Sequence, residues 1–121
     1  MSDSLDLGFK SEPKYLEVIL KQKGFKHDYT LRDKKNVKIR AKIYRLSSGI
    51  SFIYHDHLDK DNNWPNIIKD YNLEGKVVAQ GSLGGIFGKD DYNEALEIGR
   101  FLRDHYNAYL HNPQTEEIII D

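Results

Sequence analysis

Apolar positions along the chain change period several times, and each change marks an element. From 12 to 23, Tyr15, Leu16, Ile19 and Leu20 recur at helical spacing, which predicts a helix with one apolar face. Ser11 offers a hydroxyl cap, Glu12 an acid for the first turn, and Pro13 a residue whose missing N–H costs nothing there. Glu17 and Lys21 stand four apart as an ion pair, and Gly24 supplies the stop. Residues 37–46 (VKIRAKIYRL) then alternate: Val37, Ile39, Ala41 and Ile43 take one face, Lys38, Arg40 and Lys42 the other, the period of a strand. Ser47-Ser48-Gly49 reads as a hairpin connection, and Ile50 to Leu58 returns as a second strand carrying Ile50, Phe52 and Tyr54 on one face.

Beyond the polar stretch Asp59 to Asn63, Trp64 to Tyr71 reads as a short helix begun at Pro65. Lys76 to Gln80 predicts a third strand, Gly81, Gly84, Gly85 and Gly88 a flexible connection, and Asp91 with Glu94 a capping box. The helix that follows carries Tyr92, Ala95, Gly99, Leu102, Tyr106 and Tyr109 in one stripe, widened by Leu110, and stops at His111-Asn112-Pro113. Thr115 to Ile120 reads as a last short strand, and residues 1–10 as a flexible tail in which alternating Leu5, Leu7 and Phe9 offer an edge strand. The expected fold is a single α+β domain over 11–121. Its antiparallel sheet has three to four strands, with two main helices on one face, in the order α-β-β-(α)-β-α-β.

Composition changes this picture little. The 121 residues are 39% hydrophobic and 31% charged, with 14 aromatics (12%), as in an ordinary globular protein. Absence of cysteine removes disulfides, thiolate metal sites and thiol nucleophiles. The acidic start lacks the form of a signal peptide, and no apolar run is long enough to span a membrane, so the cytosol of a bacterium or an infected host is the expected compartment.

Charge changes it more. Residues 21–45 hold ten Lys/Arg against Asp28 and Asp33, a net of +8, whereas residues 46–121 carry a net of −7. The site candidate is the strand ladder Lys38, Arg40 and Lys42 with Lys34, Lys35 and Arg45 at its ends, and with Tyr44 or Trp64 as an exposed aromatic anchor. Its charges would repeat every ~6.6 Å, two strand residues at ~3.3 Å, near the roughly 7 Å phosphate spacing of a nucleic-acid strand. Three readings follow: a solvated face neutralised internally or within a homodimer, a surface for an acidic protein, or a nucleic-acid site. A sequence pI near 6.5 weighs against nucleic acid.

Other constellations fall short of their chemistry. The stretch GSLGGIFGK before a helix resembles a phosphate cradle, but Leu83 stands at the first glycine position of a P-loop and Asp90 where the metal-binding hydroxyl belongs. His55 and His57 share a strand face without a third ligand. Asp59, Asp61 and Asn63, with Asp70, begin a calcium-loop pattern that Trp64 breaks. Glu12 to Tyr29 resembles in outline the first helix of the double-stranded-RNA-binding domain. That family opens its closing helix on a Lys cluster, and here Lys89 to Glu94 is net negative, so no membership follows. No nucleophile elbow is present. The expectation is a non-enzymatic binding protein without cofactor or metal, of inhibitor or immunity type, as found in phages and mobile elements, engaging an acidic protein surface.

Overall fold

The alternation Leu5, Leu7, Phe9 builds the middle of the molecule. The structure, a computed structural model, describes residues 3–35, 38–58, 64–73 and 76–121. Its elements run β1 (Asp3–Phe9), α1 (Leu16–Gln22), β2 (Lys26–Arg32), β3 (Ile39–Arg45), β4 (Ser51–His55), α2 (Trp64–Asp70), β5 (Ala79–Ile86), α3 (Lys89–Tyr106), β6 (Tyr109–Asn112) and β7 (Glu117–Ile118). Among the described residues the strands form one seven-stranded antiparallel sheet, in the order β2-β3-β4-β5-β1-β6-β7. The chain is α+β, but the predicted three to four strands and their order give way to a larger sheet with three helices.

Four local causes account for the difference. The segment read as a flexible tail, 1–10, contains β1, paired with β5 on one edge and β6 on the other. Leu5, Leu7 and Phe9 are at most 1% exposed, and burial worth ~1.5–3 kcal/mol for each such side chain, together with hydrogen bonding on both edges, offsets the cost of ordering the strand. Strand β2 (KHDYTLR) lacks a period of two because it is an edge strand with both faces largely in water. The glycines read as a connection lie inside β5: the Phe52 ring occupies the side-chain space at Gly81, where a Cβ would stand 2.5 Å from it. The stripe read as helix through Leu110 ends at Tyr106, since Asn107 adopts φ 51°, and Leu110 reaches the core from strand β6 instead.

Helix α1 is shorter than the predicted 12–23. Its N-cap is Tyr15, in the left-handed region at φ 60° without a side-chain cap, so Ser11 and Pro13 lie ahead of it. The predicted Glu17–Lys21 pair forms at 3.7 Å, and Gly24 ends the turn at φ 96°. At α3 the predicted capping box is rearranged. Gly88 is the N-cap, Asp91 accepts a hydrogen bond from the Phe87 N–H at 3.0 Å, and Glu94 accepts one from Ser48.

Register assigns the two faces of the sheet. Leu7, Gly81 and Tyr54 are cross-strand neighbours, as are Leu5, Leu83, Phe52 and Tyr44, and this face meets α1 and α3. Leu16 and Leu20 from α1 and Ala95, Ile98 and Leu102 from α3 complete that core, so the two main helices share one face as the pattern predicts. Asp6, Gly8, His111 and Gln80 point the opposite way, where α2 packs and Trp64, Ile67 and Val77 form a second apolar cluster. The Trp64 indole lies directly against Gly8: a Cβ there would stand 2.6–2.9 Å from its ring carbons.

That contact has a measurable consequence. Gly8→Ala should destabilise the fold by about 1–3 kcal/mol, the usual cost of overpacking, read as a lower urea midpoint. Combining it with Trp64→Leu should cost less than the two single losses together, since the second change removes the clash the first creates.

Candidate functional site

Strands β2 and β3 form an antiparallel pair at one end of the sheet, and the chain between them carries the densest positive charge. The Asp33 N–H donates to the Lys38 carbonyl at 2.9 Å and the Lys35 N–H to Asp33 Oδ1 at 3.2 Å, which holds the ends of the connection together. Arg32, Lys34, Lys35, Lys38 and Arg40 are all exposed. Arg32, Asp33, Lys38, Ile39 and Arg40 line a depression of about 670 Å³, with Asp56 and His57 beyond the end of β4 on its other side.

The even ladder predicted from alternation is not formed. Arg32 pairs with Ile39 and Leu31 with Ala41, so β3 advances two residues while β2 advances one and Arg40 is the extra residue of a β-bulge. A second bulge leaves Asp28 unmatched on β2, between His27 opposite Tyr44 and Tyr29 opposite Ile43. Lys38 precedes β3, and Lys42 is half-buried between Thr30 and Tyr54. Val37 lies outside the described residues, as do Asp59, Asp61 and Asn63 of the calcium-like pattern.

Three predicted site residues change role. Tyr44 is 2% exposed and packs edge-on against His27, with its hydroxyl pKa raised by burial and by the charge of Glu17. Trp64, the first residue of α2, is 0% exposed, so neither ring offers a contact surface. Both sit inside because their faces of the sheet are covered, Tyr44 in the core shared with α1 and α3, Trp64 against Gly8. Arg45 is paired with Asp28, Nε to Oδ2 at 3.0 Å. Among the described residues the other Lys and Arg ion pairs use Lys21, Arg100 and Arg103. Arg32, Lys34, Lys35, Lys38, Arg40 and Lys42 form no ion pair among the described residues.

Sequence reasoning also missed residues here. Tyr29 and Leu31, 47% and 46% exposed, lie on edge strand β2 opposite buried Ile43 and Ala41. Their signal, two apolar residues flanking Thr30, was masked by the bulge at Asp28. His55 is held by a 3.1 Å contact from Nδ1 to the Arg40 carbonyl and His57 by a 2.8 Å contact to Asp56. No group of three His, Asp or Glu able to hold a metal occurs among the described residues, and no helix among them is long and apolar enough to cross a membrane.

A second polar group lies inside the molecule. Asp6, central in β1, is cross-strand from Ser82 on one side and His111 on the other. Asp6 and His111 are each 4% exposed, and Asp6 Oδ2 stands 3.8 Å from His111 Nδ1, too far for a hydrogen bond. Burial pushes the Asp6 carboxyl up to about 6, against a smaller downward pull from its hydrogen bond with Ser82. Burial holds His111 below its ordinary value, against an opposing effect of Glu116. Both shifts favour the neutral forms, so the two groups do not behave as a stable ion pair. His111 also lines a cavity of about 190 Å³ with Asn66, Asp70, Tyr71 and Glu116.

Compared with models of known protein families, with curated proteins and with solved structures, the chain matches none.

The buried carboxyl makes stability depend on pH in a defined direction. Because its native pKa is raised from 3.8 to about 6, the folded state carries no penalty from Asp6 below the unfolded value, and stability falls as pH rises through 6. Asp6→Asn removes the ionisation. Its stability relative to the parent should rise by about 3 kcal/mol between roughly pH 4 and pH 7, the equivalent of two pKa units. Urea midpoints measured across that range read the difference, and a difference that stays constant with pH would count against a buried ionising Asp6.

Proposed function

We propose that the protein is a non-enzymatic binding module, of inhibitor or immunity type, that occupies an acidic surface of a partner protein through the tip of the β2–β3 hairpin. One observation carries the reading: Arg32, Lys34, Lys35, Lys38, Arg40 and Lys42 have no ion pair among the described residues, while Arg45 next to them does. Asp33 and Asp56 line the depression beside Arg32, Lys38 and Arg40, and six basic side chains against these two acids leave a positive field at this end of the sheet. Exposed charges of this kind contribute mainly to the rate and orientation of encounter. Nucleic acid is the competing acidic partner. Burial of Tyr44 and Trp64 leaves half-exposed Tyr29 as the ring open to base stacking on β2, and the sequence pI near 6.5 weighs against nucleic acid.

The triple variant Lys34→Glu, Lys35→Glu, Lys38→Glu tests this reading, because all three side chains are exposed and their reversal leaves the core intact. Binding to an immobilised hexaglutamate peptide and to a 20-nucleotide single strand is measured at 50 mM and 200 mM salt. The parent should bind the peptide and the variant at least tenfold more weakly, with urea midpoints that agree. Tighter binding to the oligonucleotide, with a steep salt slope, would transfer the site to nucleic acid. Equal affinities of parent and variant for the peptide would remove the proposal.

A further inference from the structure

Strand β2 has a second property that its charge does not explain. It stands at the end of the sheet, and among the described residues only β3 pairs with it, so its outer row of backbone N–H and C=O groups faces solvent. The opposite end of the sheet closes with β7, which is two residues long, whereas β2 runs for seven. Short edges, bulges and charge are the usual protection against strand pairing. On β2 the bulge lies at Asp28. Tyr29, Thr30, Leu31 and Arg32 follow it without an extra residue, because the second bulge falls on β3 at Arg40. On this regular stretch Tyr29 and Leu31 are about half exposed, and Arg32 and the tip lysines lie at its end.

We infer that β2 is an acceptor edge: an extended acidic segment of a partner protein adds to it as an eighth strand, with apolar side chains set against Tyr29 and Leu31. Charge decides the occupant. A second copy pairing antiparallel about Tyr29 would place Lys26 opposite Arg32 twice, and like charges directly across a ladder are destabilising. An acidic strand in the same place meets Lys26, Arg32 and the unpaired tip lysines with opposite sign. Main-chain hydrogen bonds then supply affinity, and the two apolar contacts supply register. The inference rests on the acidic-partner reading above and adds to it the form of the ligand and the row of atoms that receives it.

Backbone N-methylation separates the two. Four peptides serve as probes: nine residues alternating Glu and Val, the same peptide N-methylated at odd positions, the same peptide N-methylated at even positions, and nonaglutamate. Binding is read by fluorescence anisotropy at 50 mM salt, and hydrogen exchange at Tyr29 to Arg32 is followed in parallel. In an added strand only alternate residues face β2. One methylated peptide should therefore lose at least tenfold in affinity while the other keeps that of the parent, and the unmethylated peptide should slow exchange at Tyr29 to Arg32. Equal binding by both methylated peptides, or equal loss by both, would overturn strand addition while nonaglutamate binding left the acidic-partner reading standing. Failure of all four probes, nonaglutamate included, would overturn both.

Discussion

Pairing of β1 on both edges, with β5 and β6, joins the two halves of the sheet through the first strand of the chain. Both faces of that strand are covered as well. Leu5, Leu7 and Phe9 meet the layer of α1 and α3, and Gly8 accepts the indole of Trp64 from the side of α2. Without β1 the meander β2–β3–β4–β5 and the hairpin β6–β7 would each present an open edge. The three helices would also lose the surface they share. The absence of a side chain at Gly8 is thus as consequential as the presence of those at Leu5 and Leu7, since the second apolar cluster begins on the ring that fills the gap.

The remaining chemistry is arranged around this centre. The buried acid and histidine lie on the α2 side, where Asp6 and His111 are cross-strand neighbours and both are driven toward neutrality, whereas buried Asn112 faces α3 and donates to the Tyr92 hydroxyl. An acid at such a position costs stability that an apolar residue would not, and the cavity beside His111 places the pair near the surface without exposing it. The densest positive charge lies at the other end of the sheet, on and between β2 and β3. Separation of the two lets the hairpin carry a dense charge without stressing the packing. Self-repulsion there acts on side chains already in water.

Much of this was legible where one rule governed a segment. Helical spacing located α1 and α3, the pattern after the polar stretch located α2, and alternation located β3 and β4. Legibility failed where two rules competed. Gly81 and Gly84 read as turn residues because glycine is permissive, but here Gly81 serves the close approach of Phe52 within a central strand. Tyr109 and Leu110 continue the apolar stripe of α3, and the left-handed Asn107 with Ala108 separates the helix from β6. Alternating Lys38, Arg40 and Lys42 suggested an even ladder, which a one-residue bulge removed. The charge of the site could be read from sequence. Its shape could not, because a bulge depends on how two strands meet and leaves no mark on either alone.

The position of β1 also bears on how the molecule comes to exist. Leu7 pairs with Gly81 on one side and Leu110 on the other, so the centre of the sheet joins the start of the chain to segments synthesised much later. Strands β2, β3 and β4 are neighbours in sequence and can assemble among themselves as they leave the ribosome. Strand β1, made before them, has nothing to pair with until most of the chain has followed. Closing so long a loop is slow, and during the wait Leu5, Leu7 and Phe9 are open to unwanted contacts. The most buried strand of the finished protein is therefore the one most in need of shelter while it is being made.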